Sequence, residues 1–452
     1  MDYIGPSVSH AATNGDPKTL TRKVVLATVG SLGDLHPFIA LGRALRGLGL
    51  DAVIACSPEY QAKVEAAGVA YRPLRPSFAE IERDLGMDRA QLTHAVLKRS
   101  RFLFREVVLP YVRAAYEDMM QATEDADLIL PSSLAFAARL AAEKRAIPWI
   151  AVVLQPMMFL SSFDPPVFAE AERFSALLRA LGSTPTRYAL WALKKAVNGL
   201  FRPLHALRAD LGLAPTAQNP LFEGQFAPPG AIGLYSRLLG EVQPDYPRPA
   251  WITGFATFDS EDGRVAALDP ALEVFLQAGP PPLVFTLGSL IVNSPGGFYR
   301  QGVIAARTLR MRAVLLVGEG AYRELAHLNS EAVFVCAYAP HSALFARAAA
   351  IIHHGGIGTL AQALRCGRPQ LIAPYFADQL DNAARASRLG VARVLPPRRY
   401  TGASVSRDLG RLLGDDRLLA QAGWVGETMS AEDGAANAAR IVLDTLEGLR
   451  PK

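Results

Sequence analysis

From residue 24 onward the chain alternates two patterns. Short apolar runs bounded by glycine or proline predict buried strands. Longer stretches with apolar residues every third or fourth position predict amphipathic helices. In the first half the runs are VVLATVG (24–30), DAVIACS (51–57), LIL (128–130) and WIAVVL (149–154), with one long helix expected near 88–122. In the second half they are PLVFTLGS (282–289), AVLLVG (313–318), VFVCAY (333–338), AIIHHG (350–355) and QLIAPY (370–375). Such alternation predicts an α/β fold built on doubly wound parallel sheets. A chain of 452 residues exceeds what one core organises, so two domains are expected. The proline- and glycine-rich stretch FAPPGAIGLYSRLLGEVQPDYPRPAWITGF reads as the join. The expected division is a tail over 1–23, a first domain over 24–235, a linker over 236–260, a second domain over 261–430, and a C-terminal helix over 431–452 that packs back on the first domain. Ligands in such sheets bind at the carboxyl ends of strands, so two sheets facing across a cleft imply two substrates.

Composition narrows the class. Half of the residues are apolar, yet no clean span of about 20 exists. The nearest, IPWIAVVLQPMMFLSSF (147–163), is interrupted by Pro148 and Pro156 and reads as a strand entering a loop. The polar start reads as a tail and not as a secretory signal. Three scattered cysteines, Cys56, Cys336 and Cys366, form neither a disulfide framework nor a zinc site, and a cytoplasmic location is expected. The net charge of +5 suits an anionic ligand or an anionic membrane surface, although an arginine-rich composition alone gives the same sum. Nucleic acid is not an expected partner.

The densest chemistry lies at 338–390. HHGGIGT follows a strand and opens a helix. Gly355, Gly356 and Gly358 let the backbone approach a ligand, the helix N-terminus offers free N–H groups, and His354 adds a donor. Together they make a pyrophosphate cradle without a metal; the alternative is a tight turn whose glycines serve packing. Tyr338 closes a strand where a planar base can stack. Asp378 and Gln379 can bond sugar hydroxyls, or merely cap a helix. Ser289, after VFTLG, can reach a phosphate or be an ordinary turn residue.

This constellation resembles the nucleotide-sugar glycosyltransferases of the GT-B fold, with two Rossmann-like domains facing across a cleft. It is nearest the branch of sterol and antibiotic glycosyltransferases, and PLVFTLGS, ITGF-x-TFD, HHGGIGT and DQLDNAARASRLG are especially similar to the rhamnosyltransferase catalytic subunit of rhamnolipid synthesis. The resemblance implies an acceptor-binding first domain and a donor-binding second domain. It implies that His354 contacts the diphosphate, Tyr338 stacks on the base, Asp378 and Gln379 hold the sugar, and Ser289 and Thr359 touch phosphate oxygens. The co-substrate would be a dTDP- or UDP-sugar, with no metal and no other cofactor. One departure matters: UDP-sugar enzymes usually carry a glutamate that grips the ribose where this chain has Gln362, which tilts the expectation toward a deoxyribose nucleotide.

The turn GSLGD (30–34) lacks the spacing of a dinucleotide fingerprint and the lysine of a P-loop. Its position favours a helix cap for Asp34; the resemblance instead implies that Asp34 is the general base of an inverting transfer. His36 reads as structural. For the acceptor, Gln155, Met157, Met158, Phe159 and Phe163 lie beyond a strand end and offer an adaptable apolar pocket. The basic, amphipathic stretches 96–116 and 187–208 fit either a greasy tunnel with a basic rim, suited to a lipid acid at the inner face of a membrane, or ordinary amphipathic helices burying their apolar faces. The expected function is transfer of rhamnose from dTDP-rhamnose to a hydrophobic hydroxylated acceptor such as a hydroxyalkanoyl fatty acid. A UDP-glucose enzyme acting on a sterol, flavonoid or polyketide is the near alternative. A sugar-nucleotide 2-epimerase and a non-catalytic partner subunit are remoter.

Overall fold

The computed structural model describes residues 22–168, 172–259 and 267–449; the expected tail lies outside them except for its last two residues. The first sheet holds β1 (Lys23–Ala27), β2 (Asp51–Cys56), β3 (Ala70–Pro73), β4 (Leu128–Pro131), β5 (Trp149–Val153), β6 (Pro229–Gly233) and β7 (Ala250–Ile252). They run parallel in the order β3-β2-β1-β4-β5-β6-β7. The second holds β8 (Leu283–Thr286), β9 (Ala313–Leu316), β10 (Val333–Cys336), β11 (Ala350–His353), β12 (Gln370–Ile372) and β13 (Ala392–Val394), in the order β10-β9-β8-β11-β12-β13. The two sheets share one winding scheme. Strand order reverses beside β1 in the first and beside β8 in the second, which opens a crevice between β1 and β4 and another between β8 and β11.

The helices that matter below are α1 (Leu32–Gly47), α2 (Arg89–Lys98), α3 (Val112–Ala122), α4 (Glu172–Leu181), α5 (Ser183–Asn198), α6 (Ile357–Arg365), α7 (Gln379–Arg388) and α8 (Gly434–Gly448). One apolar cluster runs from Leu41 and Leu45 of α1 through Leu360 and Leu364 of α6 to Val442 and Leu446 of α8. Each of these side chains is buried, which stabilises by about 2 kcal/mol apiece, and the cluster joins the lobes. The C-terminal helix packs on α1, and Asn437 donates to the Thr253 carbonyl at 3.0 Å.

Two expectations need correction. The stretch read as a linker contains β7, which pairs with β6 through Ala231–Ala250 and its successors. Its short apolar words are β6, paired on both sides, and the edge strand β7, each held by its neighbours and not by its own periodicity. The long helix near 88–122 is broken. After α2, Arg99 is extended, Leu103–Val108 is a π-turn, and Leu109–Tyr111 is a 3-10 turn before α3. Pro110 explains the π-turn and the 3-10 turn, since it has no N–H to donate and its ring crowds the preceding turn; it lies too far along the chain to account for the extended Arg99.

Candidate functional site

The two crevices open on one cavity of about 770 Å³ between the lobes. At its centre the glycine turns of the two halves meet. A side chain at Gly358 would lie 3.6 Å from the Gly33 Cα. The turn after β1 and the turn after β11 therefore abut, and both helices that follow them point their N-termini into the cleft.

On the first turn, Ser31 is the N-cap of α1 and Asp34 is its third residue, in a reciprocal capping box. The Ser31 backbone N–H donates to Asp34 Oδ2 at 2.8 Å, and its hydroxyl donates to the same oxygen at 3.3 Å. Gly30 is obligatory here: its φ is +145°, and a Cβ would fall 2.2 Å from Asp34 Oδ2. Burial raises the Asp34 carboxyl to about 6, although the Ser31 bonds oppose that rise. His36, two residues on, stacks edge-on to Phe258 with centroids 5.5 Å apart and is lowered to about 4 by burial.

The second turn is built differently. Gly356 is the N-cap of α6 and supplies no side-chain cap, so the first N–H groups are left for a ligand. Gly355 has φ +89° and is buried under the turn; a Cβ there would meet Ile372 Cγ2 at 2.9 Å and the Gln379 carbonyl at 3.0 Å. It shapes the cradle without lining it. His354 is buried, its Nδ1 has no hydrogen-bond partner, and burial lowers it to about 3. It is a neutral ring at working pH. Gly288 and Gly356 press on it: a Cβ would lie 2.6 Å from His354 Cε1 and 2.3 Å from His354 Nε2, respectively.

Around this turn the cleft collects Ser289, Tyr338, Thr359, Gln362, Asp378 and Gln379. Asp378 accepts from Asn382 Nδ2 at 2.7 Å, and the same amide donates to the Gly355 carbonyl at 3.0 Å. Burial and then the Asp34 charge raise Asp378 to about 7, so the two carboxylates sense each other across the gap. Gln379 Oε1 accepts from the Tyr375 N–H at 2.9 Å, so its amide N–H groups are not used in that bond. Tyr338 donates to Asp259 at 3.5 Å, and Asp259 also takes the Ser342 N–H. No group of three or more His, Cys, Asp or Glu suited to a metal occurs among the described residues.

The acceptor expectation divides. Gln155, Met157 and Met158 line the cleft. Phe159 does not: it stacks on Tyr246 at 4.0 Å and on Phe226 at 5.4 Å. Phe163 is exposed, at 44%, outside the cavity. For Phe163 the backbone reason is Leu160, whose φ of +49° turns the chain after the short 156–159 helix. The main apolar wall comes from α2 and the π-turn: Leu92, Val96, Leu103, Phe104 and Val107 all line the cleft, so the stretch 96–116 walls a tunnel, one of the two roles expected of it. Val96 also belongs to the second lobe's core, so this strap spans the gap. Its trace in the sequence is the apolar stretch 102–109, interrupted only by Arg105 and Glu106 and closed by Pro110.

What sequence reading missed was a buried ionic tie. Arg385 of α7 pairs with Asp381 at 2.6 Å and with Asp164 of the first lobe, and donates to the Leu239 carbonyl at 2.8 Å. Asp381 in turn accepts from the Val167 N–H at 2.9 Å. The i,i+4 Asp–Arg spacing within DQLDNAARASRLG was its trace in the sequence.

Two parallel-sheet lobes with a shared cleft at their switch points define a GT-B glycosyltransferase architecture, and the likeness to known proteins agrees. Residues 24–161 match the glycosyltransferase family 28 N-terminal domain, and residues 305–444 match the erythromycin biosynthesis protein CIII-like C-terminal domain. The chain is 30% identical over 433 residues to O-mycaminosyltylonolide 6-deoxyallosyltransferase of Streptomyces fradiae, covering 94% of this chain and 98% of that one. It is 28% identical to sterol 3-beta-glucosyltransferase of Emericella nidulans, covering 94% of this chain but 30% of that protein. The crystal structure of spinosyn rhamnosyltransferase SpnG complexed with thymidine diphosphate superposes with a TM-score of 0.63 at 18% identity, over 94% of this chain and 100% of that one. The chain belongs to the GT-B glycosyltransferases, in the branch that holds the antibiotic and sterol glycosyltransferases. It is a glycosyltransferase enzyme.

Proposed function

We propose that the protein is an inverting glycosyltransferase that moves rhamnose from dTDP-rhamnose onto the hydroxyl of a hydrophobic acceptor such as a hydroxyalkanoyl fatty acid. The observation that carries this reading is the contact of the two glycine turns, which sets Asp34 beside the open N-terminus of α6. The diphosphate would sit on that N-terminus, with His354 donating as a neutral ring and Ser289 and Thr359 bonding phosphate oxygens. Tyr338 would stack on the base, and Asp378 and Gln379 would hold the sugar.

Asp34 then acts on the acceptor. Its Oδ2 is held by Ser31, and Oδ1, which takes neither Ser31 bond, receives the acceptor proton as the oxygen attacks the anomeric carbon. A base placed in this way contributes roughly 100- to 10,000-fold. Charge growing on the leaving diphosphate is met by N–H groups fixed in advance, which do not reorganise during the step. The acceptor's apolar arm lies between the 155–158 segment and the α2–π-turn strap. A neutral amide at Gln362 in place of a carboxylate, together with thymidine diphosphate in SpnG, supports a dTDP-sugar.

A second reading is a UDP-glucose enzyme acting on a sterol, flavonoid or polyketide, favoured by the likeness to a sterol glucosyltransferase. Purified protein offered dTDP-rhamnose and UDP-glucose in parallel, with lipid and ring acceptors read by mass spectrometry, separates the two. Product formed only from dTDP-rhamnose is expected; a clear preference for UDP-glucose removes the rhamnosyl reading.

A further inference from the structure

The helical hairpin α4–α5 follows the acceptor segment and stands apart from the cleft. Among the described residues fifteen large apolar side chains are exposed, and six of them fall between 163 and 191: Phe163, Phe174, Leu177, Leu181, Tyr188 and Trp191. That concentration in so short a stretch is not the scatter expected of a folded surface. Phe174, Leu177 and Leu181 recur at helical spacing on α4, and Tyr188 and Trp191 do so on α5. The hairpin's inner faces are satisfied without them: Leu178, Thr186 and Leu190 are buried, and the Thr186 hydroxyl donates to the Leu178 carbonyl at 2.9 Å.

Charge indicates what covers the outer face. From 172 to 202 the sequence carries Arg173, Arg179, Arg187, Lys194, Lys195 and Arg202 against the single acid Glu172. Arg179 is turned inward toward Asp381 at 3.8 Å, and Lys194 pairs with Glu223 at 2.6 Å. Arg187, Lys195 and Arg202 are exposed, and the first two flank Tyr188 and Trp191 on one stripe of α5. A second copy of the chain would bring cations to this stripe with almost no acid to meet them. Amphipathic aromatics flanked by cations instead match a bilayer interface, where the rings sit at headgroup depth and the cations meet phosphate.

We propose that the α4–α5 hairpin docks the enzyme on an anionic lipid surface, with Tyr188 and Trp191 entering the headgroup layer and Arg187, Lys195 and Arg202 contacting lipid phosphates. The test is co-sedimentation of the full chain with vesicles of phosphatidylglycerol and phosphatidylcholine in equal parts, against vesicles of phosphatidylcholine alone. Binding to the anionic vesicles is expected to exceed binding to the neutral ones by at least about tenfold. The triple change Arg187→Gln, Lys195→Gln, Arg202→Gln should weaken it by on the order of a hundredfold, at about fivefold per cation. Tyr188→Ser with Trp191→Ser should weaken it by about tenfold. Donor hydrolysis without acceptor should be unchanged in both variants, which shows that the fold is kept. Absence of binding, equal binding to both vesicles, or full binding by either variant overturns the proposal. A dimer that Trp191→Ser dissolves, with no vesicle binding, overturns it in favour of a second copy.

Discussion

The two glycine turns at the centre of the cleft use the same backbone device for opposite electrostatic ends. Each follows a strand, bends through glycine and opens a helix into the cavity. On α1 the helix end is filled by its own residues: Ser31 and Asp34 cap it reciprocally, and the result is a carboxylate raised to about 6. On α6 the cap is a glycine, the end is left open, and the nearby titratable ring is lowered to about 3. One turn holds a group poised to accept a proton; the other holds a neutral donor and free N–H groups suited to an anion. A helix N-terminus is therefore not in itself an anion site. What decides is whether a side chain already occupies it.

The largest expected effect comes from removing the carboxylate that makes the turns unlike. Asp34→Asn keeps the shape and can still accept the Ser31 N–H, so the cap survives. Transfer should fall by on the order of 100-fold or more, while thymidine diphosphate binding, read by calorimetry, changes little. Retention of more than about a tenth of wild-type turnover would make Asp34 a cap alone. Stability gives a second reading. The folded-state pKa lies above the unfolded value of 3.8, so the ionised form is disfavoured in the fold and the loss grows as pH rises from about 4 through about 6. Asp34→Asn should therefore melt higher than wild type at pH 8 and no higher at pH 4.

A smaller and mirrored effect is expected from the glycines. In Gly30→Ala the new Cβ meets Asp34, and in Gly356→Ala it meets His354. Crowding of this kind costs about 1–3 kcal/mol. Gly356→Ala should weaken thymidine diphosphate binding by roughly 5- to 100-fold, whereas Gly30→Ala should leave that binding near wild type and lower turnover. If both variants lose nucleotide binding alike, the division of labour between the turns fails.

How much of this could be read from the chain follows the same physics. The central strands were legible because runs such as VVLATV and AIIH are buried on both faces, and burial on both faces writes a continuous apolar word. Both turns were legible because a strand, two or three glycines and a helix admit few structures. β3, β7 and β13 were not, since edge strands of three or four residues borrow their order from a neighbour. The strap that walls the cleft was misread as one helix because its apolar periodicity continues through Pro110, and only the backbone reveals the π-turn. Phe159 and Phe163 were assigned to the cleft on composition, but composition carries no direction: Phe159 stacks on Tyr246 and Phe226, and the left-handed bend at Leu160 carries Phe163 elsewhere. Arg385 joins Asp164 across 221 positions, a pairing that no local pattern encodes.

The finest probe of the comparison is Ser31→Ala, which alters the first turn without touching the carboxylate. Ser31 contributes two bonds to Asp34 Oδ2, one from its backbone and one from its hydroxyl, and both favour the ionised form. The substitution removes only the hydroxyl, which is the longer of the two at 3.3 Å. Asp34 must be ionised to accept a proton, so the acid limb of kcat/KM should lie near pH 6 in wild type and move upward in Ser31→Ala. Turnover at pH 8, where the carboxylate is ionised in both proteins, should stay within about threefold of wild type. A structural role for Ser31 would lower activity equally at every pH and leave the limb in place. A limb unmoved by Ser31→Ala, with activity otherwise normal, would mean that the group titrating there is Asp378 of the opposite lobe, and the proton-accepting function would pass from the first turn to the second.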